Sequence, residues 1–255
     1  MQVALIAPWE LLYYQRKTHY QLMLPQLLTN PEYCDAYDEF TARGDYVIMD
    51  NGAAEGKAFA DDYLLGQATL FKVSELAIPD VLGDTEETYA RMEMFLAHVQ
   101  QNLGSPFPFK FGLVAQGRDR REALDLVYKV VGSRWVDDIK TIFIPRLLVS
   151  EDDRFVRINI AEELWDEFGD RFDLHMFGSS PVWPREILAI QAEAPFVRGI
   201  DTSLPFNMTH KKLSVMNGGN STRPSDYFDL EAEEFDPVLL DRNVGTYLSW
   251  ARYVD

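Results

Sequence analysis

The 255-residue chain has very little cysteine and few basic residues. Its one cysteine, Cys34, excludes an intramolecular disulfide framework and a cysteine-rich zinc site. Lysine and arginine together number 24 against 41 aspartates and glutamates, so the formal net charge is −17 at pH 7. This excludes tight, sequence-independent binding of nucleic acid over the whole surface, because phosphates are neutralised by clustered lysines and arginines. Any contact with nucleic acid must come from a local basic patch.

Long apolar runs and targeting signals are also missing. The opening residues MQVALIAPWELLYY contain no basic segment and no apolar stretch long enough for a signal peptide or a membrane span. We therefore expect a cytoplasmic protein with no membrane partner. Because 47% of the residues are hydrophobic and 13% are aromatic, the chain can bury a large core, and we expect one domain over residues 1–255.

Several common catalytic motifs are absent as well. No glycine-rich turn follows the first apolar run, and the chain has no P-loop and no His-Glu-x-x-His sequence. No lysine stands near the end of a predicted strand, which argues against Schiff-base chemistry. The sequence therefore predicts neither a cofactor nor a metal ion.

A regular alternation of short apolar runs and amphipathic stretches is present. The predicted strands cover 3–8, 46–50, 75–80, 109–117, 141–148, 173–179 and 197–203, with a possible eighth at 225–230. Helical periodicity covers 85–100, 119–131, 159–169 and 184–192, with a closing helix near 237–253. This alternation indicates right-handed βαβ units around a parallel sheet. We expect a (β/α)₈ barrel, with an open doubly wound sheet as the alternative.

Polar residues end most of the predicted strands, namely Asp50, Asp80, Gln116, Arg146, Gly178 and Asp201. Because the active site of such a barrel lies at the carboxyl ends of its strands, we expect three carboxylates at one mouth. Their repulsion raises at least one pKa and leaves an acid beside a base, which is the pair that glycosidic chemistry uses. Taken singly, each aspartate is also typical of a helix cap or a turn.

His175 lies inside an apolar run. We expect a buried, hydrogen-bonded histidine there in preference to a ligand.

Five segments, in matching order over about residues 45–205, resemble the tRNA-guanine transglycosylase superfamily, which includes phage enzymes that insert 7-deazaguanines into DNA. The segments are YVIMDNGAAEG, ELAIPDVLGD, FGLVAQG, LHMFGSSPVWPREIL and RGIDTSLPFN. The resemblance implies a nucleophile at Asp201 and a general acid/base at Asp50. It also implies a set of residues that bind the nucleobase, namely Asp80, Gln116, Gly117 and Gly178.

Two departures from the family pattern bear on the substrate. Asn51 and Ala53 differ from the family's Asp-Ser-Gly-Gly segment, and residues 204–255 contain none of the cysteines that form the zinc site of the tRNA enzymes. We therefore expect a barrel without the zinc-binding subdomain. This favours a compact, phage-type relative that acts on DNA in preference to tRNA.

Two basic clusters follow predicted strand ends and are candidates for phosphate contacts: His210, Lys211 and Lys212 near the Gly218-Gly219 pair, and Arg118 and Arg121 after Gln116. Ordinary solvated surface charge explains both clusters equally well.

The resemblance implies an enzyme, phage-encoded and in the host cytoplasm, that exchanges guanine in a polynucleotide for a 7-deazaguanine through an aspartyl-glycosyl intermediate. Three alternatives stay open. One is a nucleobase-excising DNA glycosylase, in which water completes the same chemistry. The others are a non-catalytic barrel that binds a modified nucleobase or a partner protein, and a hydrolase or transferase of free nucleosides.

Overall fold

The chain folds into a nearly closed (β/α)₈ barrel, as predicted. The computed structural model describes residues 1–102, 107–150, 152–180, 183–217 and 222–252, so the Gly218-Gly219 pair lies outside the described residues. Eight parallel strands form one sheet: β1 (Gln2–Leu5), β2 (Tyr20–Met23), β3 (Tyr46–Met49), β4 (Glu75–Ala77), β5 (Lys110–Val114), β6 (Ile139–Pro145), β7 (Asp173–Phe177) and β8 (Gly199–Thr202). The hydrogen-bonded ladder runs from β1 through β8 and down in order to β2, and β1 lies beside β2 at the remaining seam.

Helices alternate with the strands around the barrel: α1 (Pro31–Ala42), α2 (Asp61–Leu70), α3 (Thr85–Asn102), α4 (Arg120–Val131), α5 (Val156–Phe168), α6 (Glu186–Glu193), α7 (Leu204–His210) and α8 (Pro237–Arg252). Local sequence explains where several of these helices begin. The Asn30 side chain accepts the backbone N–H groups of Glu32 and Tyr33 at the start of α1, and Asp119 caps α4 in the same way. In the described part of the chain, no helix combines the length and the apolar character needed to cross a membrane.

One predicted strand is wrong, and a different segment supplies the eighth strand. Residues 225–230 contain a 3₁₀ helix, Tyr227–Asp229, whose aromatic side chains pack on the barrel instead of pairing as a strand. The Tyr227 hydroxyl donates to the backbone carbonyl of Ile6. The eighth strand is β2, which follows the 3₁₀ helix Trp9–Lys17. No amphipathic α-helix separates β1 from β2, so the alternation of strands and helices did not mark it.

The floor of the barrel, at the amino ends of the strands, is closed by a polar cluster that we call the floor network: Tyr20, Tyr46, Glu75, Asp173 and Arg198. Arg198 donates to Glu75 at 2.6 Å and to Asp173 at 2.9 Å. It also donates to the hydroxyls of Tyr20 and Tyr46 at 3.1 and 3.2 Å. These hydrogen bonds offset part of the cost of burying the polar groups at the floor, although Glu75 Oε1 has no hydrogen-bond partner among the described residues.

Candidate active site

A cavity of about 160 Å³ opens at the mouth of the barrel, where the strands have their carboxyl ends. All six strand-end residues predicted from the sequence line it: Asp50, Asp80, Gln116, Arg146, Gly178 and Asp201. They come from the ends of β3 to β8, so six separate strands converge on one space. The barrel topology therefore brings together the carboxylates that the sequence keeps up to 151 residues apart.

Asp50 is a buried carboxyl group directly after β3. Its backbone N–H donates to the Met23 carbonyl at 2.9 Å, and its side-chain Oδ1 accepts the backbone N–H of Asn51 at 2.7 Å. Burial, and then the negative charge of Glu55, raise the pKa of Asp50 well above its usual value. Asp80 and Asp201 raise it further. Asp50 therefore retains its proton at a pH where an ordinary aspartate has lost it, as a general acid requires.

Asp80 is held by two amides. Its Oδ1 accepts the Asn51 side-chain amide at 2.6 Å, and its Oδ2 accepts the Gln116 side-chain amide. Gln116 in turn accepts the backbone N–H of Gly83 at 3.0 Å. Burial raises the pKa of Asp80, and the hydrogen bonds from the two amides oppose that rise. The result is a polar wall with a fixed orientation on one side of the cavity.

Asn51 is a functional-site residue whose role the sequence did not reveal. Its side-chain amide donates to the Ile78 carbonyl at 2.7 Å as well as to Asp80, and its oxygen accepts the backbone N–H of Ala53 at 2.9 Å. It therefore ties the end of β3 to the end of β4. The sequence offered only a departure from a family pattern at this position, because Ile78 and Asp80, the partners of its amide, are 27 and 29 residues away in the chain.

Asp201 lies within β8 and has two chemically distinct carboxylate oxygens. Oδ1 accepts the Gly178 backbone N–H at 2.8 Å and contacts His175 Nε2 at 3.1 Å. No hydrogen bond from the described residues reaches Oδ2. The carboxylate is thus fixed through one oxygen, while the other remains available to a substrate.

His175 is fully buried in β7, as the prediction of a buried, hydrogen-bonded histidine requires. Its Nδ1 lies 2.8 Å from the Tyr20 hydroxyl, which also accepts from Arg198. Since arginine can only donate, the Tyr20 proton points toward His175 Nδ1, and Nε2 carries the imidazole proton toward Asp201. Burial lowers the pKa of His175, and the hydrogen bond that its Nε2–H donates to Asp201 opposes this. A neutral imidazole of defined tautomer therefore links the floor network to Asp201.

Gly178 has a left-handed backbone conformation, with φ of +73°. The loop it begins is held by a fully buried ion pair between Arg157 and Glu186, which the sequence did not predict. Arg157 donates to the Gly178 carbonyl at 2.7 Å, and Glu186 accepts the Ser180 backbone N–H at 3.0 Å. The ion pair thus fixes the backbone segment whose N–H group orients Asp201.

Gly117 and the two predicted basic clusters lie outside the lining of the cavity. At Gly117, a Cβ atom would lie 2.6 Å from the backbone nitrogen of Ala123, so this glycine permits close packing on α4. The basic side chains have protein partners or are exposed: Arg118 pairs with Glu122, His210 and Lys212 contact Glu234, Lys211 donates to the Thr222 carbonyl, and Arg121 is exposed on α4. Their contact with phosphate stays a prediction.

The positively charged side chains that line the cavity are those of Arg146 and Arg223, and neither residue belongs to the two basic clusters. Arg223 donates to Glu55 at 2.8 Å. Over the described residues, no group of three or more histidine, cysteine, aspartate or glutamate side chains has the arrangement of a metal site.

Neither a protein-family model nor a curated protein matches the sequence. The resemblance to the transglycosylase superfamily therefore depends on the five segments alone.

Proposed function

We propose that this barrel cleaves an N-glycosidic bond and exchanges a guanine in a polynucleotide for a 7-deazaguanine. One observation carries the proposal: Asp50, a carboxyl group with a raised pKa, shares a cavity with Asp201, a carboxylate that is oriented through one oxygen and open at the other. An acid and a nucleophile in one cavity are the two groups that glycosyl transfer needs.

In the first step, Asp201 Oδ2 attacks C1′ of the target nucleotide. The C1′–N9 bond breaks, its electron pair goes to the departing guanine, and the Asp50 carboxyl group gives that nucleobase its proton. The sugar is left as an ester of Asp201. His175 and the Gly178 N–H, which hold Oδ1, keep the attacking oxygen directed into the cavity.

In the second step, the incoming 7-deazaguanine loses its N9 proton to the Asp50 carboxylate. The freed nitrogen attacks C1′, the ester bond to Asp201 breaks, and Asp201 returns as a carboxylate. Each residue ends in the state in which it began. If water attacks instead, the product is an abasic site, and the same residues act as a glycosylase.

The wall formed by Asn51, Asp80 and Gln116 is suited to the hydrogen-bonding edge of guanine. That edge presents N–H donors beside a carbonyl acceptor. A carboxylate can accept from the donors, and the glutamine amide can turn from Asp80 toward the carbonyl.

Asp201→Asn tests the nucleophile. The variant should keep its fold and lose turnover, because the neutral amide is a poor nucleophile. We would incubate the full chain with guanine-containing single-stranded DNA or tRNA, with and without a 7-deazaguanine base, and look for an adduct that survives denaturing electrophoresis. The wild type should form the adduct and Asp201→Asn should not.

Asp125→Asn, an identical change at an exposed position on α4, serves as the matched control and should behave as the wild type. Mass spectrometry of the product separates exchange, which yields a replaced nucleobase, from excision, which yields an abasic site. Full activity of Asp201→Asn would contradict the mechanism.

A further inference from the structure

Two arginines in the cavity wall have no part in the proposed bond-breaking steps. Arg223 is fixed by Glu55 and lies over the rings of Tyr227 and Phe228, at 5.4 and 5.1 Å from their centres. The side chain of Arg146, directly after β6, forms no hydrogen bond or ion pair with any residue that the structure describes. One guanidinium is thus anchored, and the other is open to a ligand.

The position of Arg146 depends on Gly178. A Cβ atom at Gly178 would lie 2.6 Å from the Arg146 Cδ, so glycine lets the arginine stem pass close to the backbone whose N–H group binds Asp201. The guanidinium reaches solvent at the mouth, but partial burial by the cavity walls, followed by the positive charge of Arg223, lowers its pKa. The protein thus places two cations near each other, and no carboxylate forms an ion pair with Arg146, although the charges of Asp201 and Glu55 act on it at longer range and oppose the lowering.

The proposed reaction makes this placement informative. Glycosidic cleavage develops positive charge at C1′, so a guanidinium that has no hydrogen-bonded carboxylate in the same cavity is better tolerated when the substrate brings an anion to pair with it. The phosphate attached to the target sugar is the anion closest to C1′. Arginine forms two parallel hydrogen bonds to phosphate oxygens, which suits it to this role.

The rim beside Arg146 is apolar and exposed. Leu147, the next residue, and Leu82, after β4, both line the cavity and are 59% and 43% exposed. Apolar side chains around a cation fit a nucleotide, whose sugar and nucleobase faces are apolar while its phosphate is charged.

We propose that Arg146 and Arg223 form an anion subsite for a phosphate ester on the target sugar. Arg146 supplies the free guanidinium, and Arg223, held by Glu55, supplies a second positive charge. This inference rests on the proposed function, because that function places the sugar at Asp201. The phosphate comes either from the backbone of a strand or from a mononucleotide.

The test compares three probes on the intact protein: a labelled single-stranded 12-mer DNA with one guanine, dGMP and deoxyguanosine. Arg146→Gln should weaken the binding of a phosphate-bearing probe roughly tenfold, since a charge-assisted hydrogen bond is lost. For the DNA, the slope of log Kd against log salt should fall by about one. The affinity for deoxyguanosine should not change.

Two further variants control the result. Arg242→Gln, at an exposed position on α8 outside the cavity, should leave all three affinities unchanged. Arg146→Lys keeps the charge without the planar fork and should recover part of the loss. Thermal unfolding of each variant checks that the fold is intact.

The pattern across probes decides between outcomes. A loss for the 12-mer alone assigns the subsite to a backbone phosphodiester, and an equal loss for dGMP assigns it to a monoester. Unchanged binding of both phosphate-bearing probes, or an equal loss in Arg242→Gln, overturns the subsite. If Arg146→Gln weakens binding but the wild type never forms the Asp201 adduct, the subsite stands and the glycosidic chemistry falls. If the Asp201 adduct forms equally well in the wild type and in Arg146→Gln, the glycosidic chemistry stands and the subsite falls.

Discussion

Two buried aspartates flank the same four-residue strand, β3, and they have opposite electrostatic states. Asp45 precedes the strand at the floor, and Asp50 follows it at the mouth; each is 6% exposed. Burial alone raises the pKa of both. At Asp45, hydrogen bonds from Arg43, Gln21 and His19 outweigh burial and lower the pKa. At Asp50, one backbone hydrogen bond opposes burial and three nearby carboxylates, so the pKa is raised.

The two ends of the barrel differ in whether their buried carboxyl groups have cationic partners. At the floor, the carboxylates have cationic partners: Glu75 and Asp173 pair with Arg198, as Asp45 pairs with Arg43. At the mouth, Asp50 and Asp80 have no cationic partner among the described residues. A cationic partner offsets the cost of burying a carboxylate, whereas unpaired buried carboxyl groups destabilise a fold and are retained where chemistry needs an acid.

Among the variants that compare the floor with the mouth, the largest expected effect comes from Asp50→Asn. Loss of the general acid should lower turnover by about 10²–10⁴-fold, while the fold is kept. Steady-state exchange of labelled guanine into DNA or tRNA measures this. Asp125→Asn again serves as the control, and activity within twofold of the wild type would remove Asp50 from the mechanism.

The same variant should change how stability depends on pH, in the direction opposite to Asp45→Asn. Above about pH 4, the unfolded chain has ionised Asp50 while the folded chain still holds its proton, so wild-type stability falls as pH rises toward the raised pKa. Asp50→Asn removes that fall. For Asp45, the folded group ionises first, so its contribution is present above about pH 4 and is lost below it; Asp45→Asn removes that gain.

Urea unfolding at several pH values between about 3 and 7 measures how the stability of each variant, relative to the wild type, changes with pH. Relative to the wild type, Asp50→Asn should gain stability across this range and Asp45→Asn should lose it. If the difference in stability from the wild type changed with pH in the same direction for both variants, the comparison between floor and mouth would be contradicted.

A floor variant, Arg198→Met, should chiefly affect stability. It leaves the fully buried Glu75 without its cation, and breaking such a pair costs about 3–5 kcal/mol of unfolding free energy. Urea unfolding measures the loss. The double variant Arg198→Met with Glu75→Gln should recover part of it, and a loss below about 1 kcal/mol would show that the floor network is not a structural element.

The smallest effect is expected from Tyr20→Phe, which cuts the link between floor and mouth. Without the hydroxyl, His175 Nδ1 has no partner to fix the tautomer, so Asp201 loses part of its orientation. We expect about a tenfold fall in kcat with little change in KM. Tyr46→Phe is the matched control, because its hydroxyl contacts Arg198 and Glu75 but not His175.

Nitrogen NMR of the imidazole gives a readout that general destabilisation would not mimic. The Nε2–H tautomer should dominate in the wild type and in Tyr46→Phe, and its population should fall in Tyr20→Phe. An unchanged tautomer in Tyr20→Phe would show that Tyr20 does not position Asp201 through His175.

Several elements could be predicted from the chain because their signals are local. Helix α3 was expected over 85–100 and extends over Thr85–Asn102, since its apolar spacing repeats over five turns. Strand β2 was not predicted, because four residues that follow a 3₁₀ helix instead of an α-helix carry too little pattern. Helices α1, α2 and α7 were missed as well. The segment 225–230 has the aromatic composition of a strand, but the eight positions of the barrel are filled without it.

The sequence by itself determined most of the alternation of strands and helices, the polar residues at most strand ends and the scarcity of positive charge, since these depend only on residue type and spacing. Only the tertiary structure decided which cations face the cavity, how Asn51, Tyr20 and His175 connect to the carboxylates, and which of two buried aspartates keeps its proton. Those properties depend on distances between residues far apart in the chain, and burial and hydrogen bonding act through such distances.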